Sequence, residues 1–331
     1  MRIRYLISFL LTTGIGFSQV SIKQTGGCIG CFSEPQSMLL FREAYTEPGR
    51  VYGDLNLVTP NETLIVPHLP NWVGQYASPL PAISPAGDRV AWSLKFPINS
   101  AGELCELMQP DCDLHFPQKY RSVIGVYSVR DKTWKQYGNF YHVGSAAFSP
   151  DGKKIVFKDE ADSDRQKLLI LDLETGQMTP IPGSNSVIWI AQLSWSPDGK
   201  FLAGSVHEHG YGQIVLIDVA TGAMRTIAEG SNPSWSPKGD WIAYAFYVQC
   251  MIIHPDGTGA RSVLEKERKW MNYTLDAPIV WSPEGDRLLL NQRRIYGSHT
   301  RVITVDLATG HAIKNSKDGE VVSGWVPYSG K

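Results

Sequence analysis

Five times along the chain a serine–proline pair opens a run of the same design: SPAGDRVAW from Ser84, SPDGKKIVF from Ser149, SPDGKFLAG from Ser196, SPKGDWIAY from Ser236 and SPEGDRLLL from Ser282. Degenerate relatives lie near both ends. FSEPQSMLLF from Phe32 keeps the length without the glycine, and GWVPYSGK from Gly324 keeps the Trp-x-Pro. The starting positions 33, 84, 149, 196, 236, 282 and 326 are separated by 51, 65, 47, 40, 46 and 44 residues. A period of about 40 to 50 residues is that of four-stranded propeller blades.

Local chemistry explains why each unit reads as strands. A short segment ending in an aromatic, such as Trp195, Trp235 or Trp281, runs into Ser-Pro-x-Gly. The proline presets φ at the first corner of a turn, and the glycine takes the positive-φ position without steric cost. A second β run follows at once, as in KIVF, FLAG, WIAY and RLLL. Further on, Asp172, Asp218 and Asp306 each precede a Thr-Gly pair by the same spacing. That spacing suits an Asp side chain capping a turn while Gly176, Gly222 or Gly310 reverses the chain.

Each unit therefore supplies strands A to D joined by three hairpins. One such sheet cannot bury both faces alone, so neighbours must stack around an axis. Six intervals predict an all-β, six-bladed propeller of four-stranded antiparallel blades. Blade one takes its strands B to D from about Met38 to Pro67. Blade two spans Leu80 to Tyr137, blade three Gly144 to Pro182 and blade four Ile190 to Ala228. Blade five spans Ser231 to Leu264, and blade six Pro278 to Lys314. The tail segment EVVSGWVP then enters blade one as its missing inner strand and closes the ring.

Composition is consistent with a packed core: 331 residues, 43% hydrophobic and 11% aromatic. The opening MRIRYLISFLLTTGIGFSQV puts two arginines ahead of an apolar run that ends in Gly16-Phe17-Ser18, a small-x-small pattern. It is read as an export signal, residues 1–18, leaving 19–331 as a single propeller domain in the periplasm or outside the cell. The apolar run is shorter than the roughly 20 residues needed to cross a bilayer, so no membrane span is expected after cleavage. Without Arg2 and Arg4 the count is 29 basic against 32 acidic residues, a net charge of −3, and no basic excess is left to grip nucleic acid.

Five cysteines fit an oxidising compartment but leave one unpaired. Cys105 and Cys112 flank a short loop inside an insertion, where a disulfide would stiffen it. Cys28 and Cys31 have redox spacing, yet no helix pattern follows that would depress a thiol pKa.

The repeated Trp-Ser-Pro-Asp-Gly-Lys, with IVF or FLAG behind it and Asp-x-x-Thr-Gly in the second hairpin, resembles the WD40-like PD40 repeat of the TolB propeller, found also in dipeptidyl peptidase propellers. The resemblance runs from about Phe32 to Lys331. It implies the fold. TolB carries an α/β domain ahead of its propeller, where this chain has only about a dozen mature residues, and the peptidases carry a hydrolase domain behind theirs.

Connectivity assigns the function-bearing surface. A-to-B and C-to-D turns share one rim and are regular, whereas B-to-C and D-to-A connections share the other and scatter in length and composition. Variable loops on a rigid scaffold are the default place for binding. That rim is expected to collect Trp72, Tyr141, His142, Trp189, Tyr211, Trp270, Tyr273, Arg293, Arg294, Tyr296 and His299. Aromatics beside charges suit a protein, peptide or glycan partner, bound by a monomer without a further cofactor.

Two loops offer metal ligands. HEHGYG sets His207 and His209 two residues apart, so both imidazoles face one way in an extended segment. DEADSD offers Asp162 and Asp164 among its carboxylates but lacks the EF-hand glycine and final glutamate. A divalent ion there would make the chain a lyase or hydrolase, for which metal-dependent pectate-fragment lyases of the PD40 type give precedent by resemblance. Nucleophile-elbow, zincin and Walker motifs are absent from the sequence.

Overall fold

The computed structural model describes residues 36–47, 50–58, 63–66, 75–76, 81–99, 101, 103, 120–162, 165–184, 190–207, 212–264, 273–294, 300–314 and 320–327. Strands β1 (Gln36–Glu47), β2 (Arg50–Val58) and β3 (Thr63–Val66) form the first antiparallel sheet. In the second, β6 (Arg89–Pro97), β7 (Tyr120–Ser128) and β8 (Thr133–Phe140) stand beside an inner strand broken into β4 (Gln75–Tyr76) and β5 (Ala82–Ile83). The third holds β9 (Val143–Phe148), β10 (Lys154–Asp162), β11 (Arg165–Asp172) and β12 (Met178–Pro180). The fourth holds β13 (Ile190–Trp195), β14 (Phe201–His207), β15 (Gly212–Asp218) and β16 (Met224–Glu229). The fifth holds β17 (Ser231–Trp235), β18 (Ile242–Phe246), β19 (Gln249–Ile253) and β20 (Arg261–Ser262). The sixth holds β21 (Tyr273–Trp281), β22 (Arg287–Arg294), β23 (Thr300–Asp306) and β24 (Ala312–Lys314). The last strand, β25 (Glu320–Pro327), returns to the first sheet and pairs antiparallel with β1, Gln36 opposite Pro327.

The Ser-Pro turns are built alike. In each, the glycine N–H donates to the serine carbonyl, as Gly199 does to Ser196 at 2.9 Å, and the glycine φ lies between 67° and 77°. The buried serine hydroxyl accepts the N–H five residues on and donates to an aspartate. That aspartate stands two residues after the serine in Asp151 and Asp198, or four after it in Asp88, Asp240 and Asp286. Either place lets a carboxylate reach the same hydroxyl, which explains why the motif alternates between SPDGK and SPxGD.

Sheets pack face to face through apolar clusters. Between the third and fourth sheets, Val156 and Leu168 meet Ile190, Leu202 and Val215. Between the fifth and sixth, Ile252 and Cys250 meet Leu288, Leu290 and Ile303. Burial pushes the Cys250 thiol pKa well up, so it packs as a small apolar side chain. Tryptophans at the ends of the inner strands tie neighbours together. Trp195 Nε1 donates to the Ala147 carbonyl at 3.2 Å, and Trp281 Nε1 to the Ser234 carbonyl at 2.9 Å.

The inner strands do not pair in unbroken register. Ladder register shifts between Ala191 and Ser194, between Ser231 and Ser234, and between Asp276 and Ile279, with equivalent irregularities in β9 and β25. Bulges of this kind re-aim side chains and end local pairing. Buried polar side chains from the second strands hold the carbonyls around them. Ser93 donates to Val143 O, Ser205 to Ala191 O, and Asn291 to both Pro278 O and Val322 O while accepting from Val322 N–H.

Candidate functional site: two ends of one channel

At the Ser-Pro end the inner strands surround a cavity of about 610 Å³ to which all six sheets contribute. The turn prolines Pro85, Pro150, Pro197, Pro237 and Pro283, with Pro327 at the end of β25, ring its mouth. Consecutive turns lean on one another: a Cβ on Gly285 would lie 3.3 Å from Pro237 Cγ, and one on Gly87 would lie 3.1 Å from Val326 Cγ2. Deeper in are Trp195, Trp235, Trp281 and Trp325, all buried or half-buried. Gln192 and Asn232 line the wall from the bulges, both at positive φ (51° and 55°), a conformation non-glycine residues rarely adopt. None of the 30 described lining residues is Asp, Glu, Lys, Arg or His, although 19% of the chain is charged; the aspartates of the Ser-Pro turns stand outside the lining, bonded to the turn serines.

The opposite end has other chemistry. The two most exposed large aromatics of the described residues stand there: Tyr141, 60% exposed in the crossover from β8 to β9, and Tyr247, 61% exposed at the tip joining β18 to β19. Arg121 lies over the Tyr141 ring, its guanidinium carbon 5.7 Å from the centroid. Arg301 covers Tyr273 at 3.4 Å, and is steered there by a 3.1 Å hydrogen bond from its Nε to Oε1 of buried Gln292. Tyr273 opposes Arg294 across β21 and β22, and Arg293 opposes Thr274, so both exposed arginines join this cluster on the sixth sheet.

Of the residues expected on the variable rim, Tyr141, Tyr273, Arg293 and Arg294 lie at this end, with half-buried His142 beside Tyr141. Trp72, Trp189, Tyr211, Trp270, Tyr296 and His299 lie outside the described residues, as do His209, Asp164, Cys105, Cys112 and segment 1–18. His207 is exposed at the end of β14, and Asp162 ends β10 opposite Arg165. Among the described residues no three His, Cys, Asp or Glu side chains converge on one point. Arg121, Arg301 and Tyr247 did not figure in the sequence reading. An arginine one residue into the third strand, in both β7 and β23, is the signal that could have found the first two.

No protein-family model matches the chain. A peptidase of Bacillus subtilis described as uncharacterised, YuxL, is 24% identical over a 140-residue alignment taking in 30% of this chain, which spans about a fifth (21%) of that relative's length. Among solved structures, TolB from Acinetobacter baumannii is similar at a TM-score of 0.62 and 16% identity, covering 88% of this chain and 67% of its own. A putative TolB from Agrobacterium tumefaciens follows at 0.59 and 14%, covering 89% and 99%. An oligogalacturonate lyase in complex with manganese reaches 0.50 and 12%, covering 85% and 73%. At these identities the likeness establishes a TolB-like β-propeller fold. No helix of the described residues is long and apolar enough to cross a membrane.

Proposed function

We propose that this chain is an exported, non-catalytic six-bladed propeller, closed by β25 beside β1, that binds a protein, peptide or glycan partner through its variable-loop rim. The observation that carries this reading is the display of Tyr141 and Tyr247, each about three-fifths exposed (60% and 61%), on the rim that also holds Arg293 and Arg294. Tyrosine and arginine are the residues on which interface energy concentrates, and the stacked arginines lose little freedom when a partner lands on them.

Photo-crosslinking tests the orientation. A photoreactive phenylalanine analogue at position 141 or 247 is expected to capture a partner from the organism's envelope extract, while the same group at Met224, exposed at the start of β16 by the other rim, captures none. Equal capture from position 224, or capture from there alone, contradicts the rim assignment.

The manganese-bearing lyase supports one alternative, a divalent ion held by His207 and His209 for lyase or hydrolase chemistry. Elemental analysis of the purified protein separates the two. A stoichiometric metal lost on His207→Ala would favour the enzyme, and none at stoichiometry favours the binding module.

A further inference from the structure

The geometry points to a second binding site, at the Ser-Pro mouth of the channel, that takes a short uncharged peptide segment with apolar side chains. It lies at the opposite end from the variable rim and does not depend on what that rim binds. Three features of the wall argue for it. The first is charge. With 30 described lining residues and none of them ionisable in the physiological range, a charged ligand entering this cavity would lose hydration and gain no counter-charge. The cavity wall therefore favours uncharged groups over ions and charged side chains.

The second is the arrangement of polar groups. Nine of the lining residues are prolines, which have no N–H to donate, so at those positions the backbone offers the ligand only acceptors. A peptide in extended form brings its own N–H donors every second residue to such a surface. The bulges set Asn232 and Gln192 into the wall as amides able both to donate and to accept, and the Asn232 side chain makes no hydrogen bond among the described residues. Deeper still, Trp235 lines the cavity at 8% exposure, and its buried indole N–H has no acceptor among the described residues, unlike those of Trp195 and Trp281. A buried donor left unpaired is costly, and an acceptor that reached it would remove the cost.

The third is shape. About 610 Å³ is the size of a drug-sized ligand site, room for a few residues of a chain and too little for a folded domain. Neutral sugars are disfavoured because they stack on open aromatic faces. Here Trp235, Trp281 and Trp325 are buried at 8%, 5% and 6% exposure and Trp195 is half-buried, so none of the four stands open to solvent.

The test uses the full-length protein and two pools of N-acetylated, C-amidated hexapeptides. One pool is built from Gly, Ala, Val, Leu and Phe, and the other carries Asp or Lys at two positions. Cellohexaose is the third probe. Affinity selection followed by calorimetry is expected to recover members of the uncharged pool at least tenfold over the charged pool, with no heat from cellohexaose. Asn232→Asp puts a carboxylate in the mouth, and an Asx residue tolerates the positive φ there, so the fold is kept. This variant is expected to lose recovery at least tenfold, and Arg301→Ala at the far rim to leave it unchanged. Should Asn232→Asp melt early, Ser234→Asp on the same wall replaces it. Equal recovery of the two pools, recovery from neither, heat from cellohexaose, or unaltered binding by the Asp variants overturns the proposal. None of these outcomes bears on the crosslinks from positions 141 and 247.

Discussion

At the Ser-Pro end Trp195 and Trp281 turn their indole N–H groups onto carbonyls of the neighbouring sheet, whereas at the far end Tyr141 and Tyr247 stand in solvent. Both ends are rich in aromatics, but only one displays them. The difference follows from connectivity. The A-to-B turn recurs at fixed length, so its residues face their counterparts in the next unit and settle into one repeated packing. The B-to-C and D-to-A links vary, so no repeated neighbour exists to cover what they carry. The side chains offered to a ligand differ as well, with arginines over tyrosines at one end and an uncharged cavity wall at the other.

Removing a staple should have the largest effect. Trp281→Ala deletes a buried indole and its bond to Ser234 O, and is expected to cost about 3–5 kcal/mol in a urea titration. A loss below about 1 kcal/mol would mean that the tryptophans do not hold the sheets together. Next comes Asn291→Ala, which strips partners from both Val322 groups and from Pro278 O. About 2 kcal/mol is expected. Gly285→Ala puts a Cβ at φ 67° and 3.3 Å from Pro237 Cγ, so a cost of about 1–2 kcal/mol is expected. The far rim should behave otherwise. Tyr141→Ala and Tyr247→Ala are each expected to move stability by no more than about 0.5 kcal/mol while weakening partner capture.

The smallest effect is on pH. Hydrogen bonds from Ser149 and Ser196 hold the carboxyls of Asp151 and Asp198 below their ordinary value. A group whose native pKa is lowered stabilises the fold above its unfolded value, about 3.9 for Asp, and that contribution fades as pH falls through the native value. Melting temperature should thus decline in acid below about pH 4, and less steeply in an Asp151→Asn, Asp198→Asn double variant. An identical acid slope in that variant would show that these turns do not sense pH.

The turns were legible because their chemistry is local: Ser-Pro-x-Gly and Asp-x-x-Thr-Gly each fix their own hydrogen bonds within six residues. The pairing of β25 with β1 was also readable, from the stray Trp-x-Pro at the tail. The bulges were not. Nothing in AQLSW marks Gln192 for positive φ, and although asparagine adopts it more readily than most residues, nothing in SNPSW marks the register shift around Asn232. The uncharged mouth was overlooked for a related reason. Regular turns looked structural one at a time, and their common cavity exists only where the six sheets meet. Connectivity places Tyr141, Tyr273, Arg293 and Arg294 on the variable rim from the sequence, but the stack of Arg301 on Tyr273 spans sequence separations that no local pattern encodes.

The ring itself is tested most directly by hydrogen exchange on segment 320–327. If β25 is the inner strand of the first sheet, its amides should exchange as slowly as those of β13 and β17, and should speed up selectively in Asn291→Ala. Exchange of that segment at the rate of an unstructured peptide, with β13 and β17 still protected, would contradict closure and with it the division of the molecule into two ends.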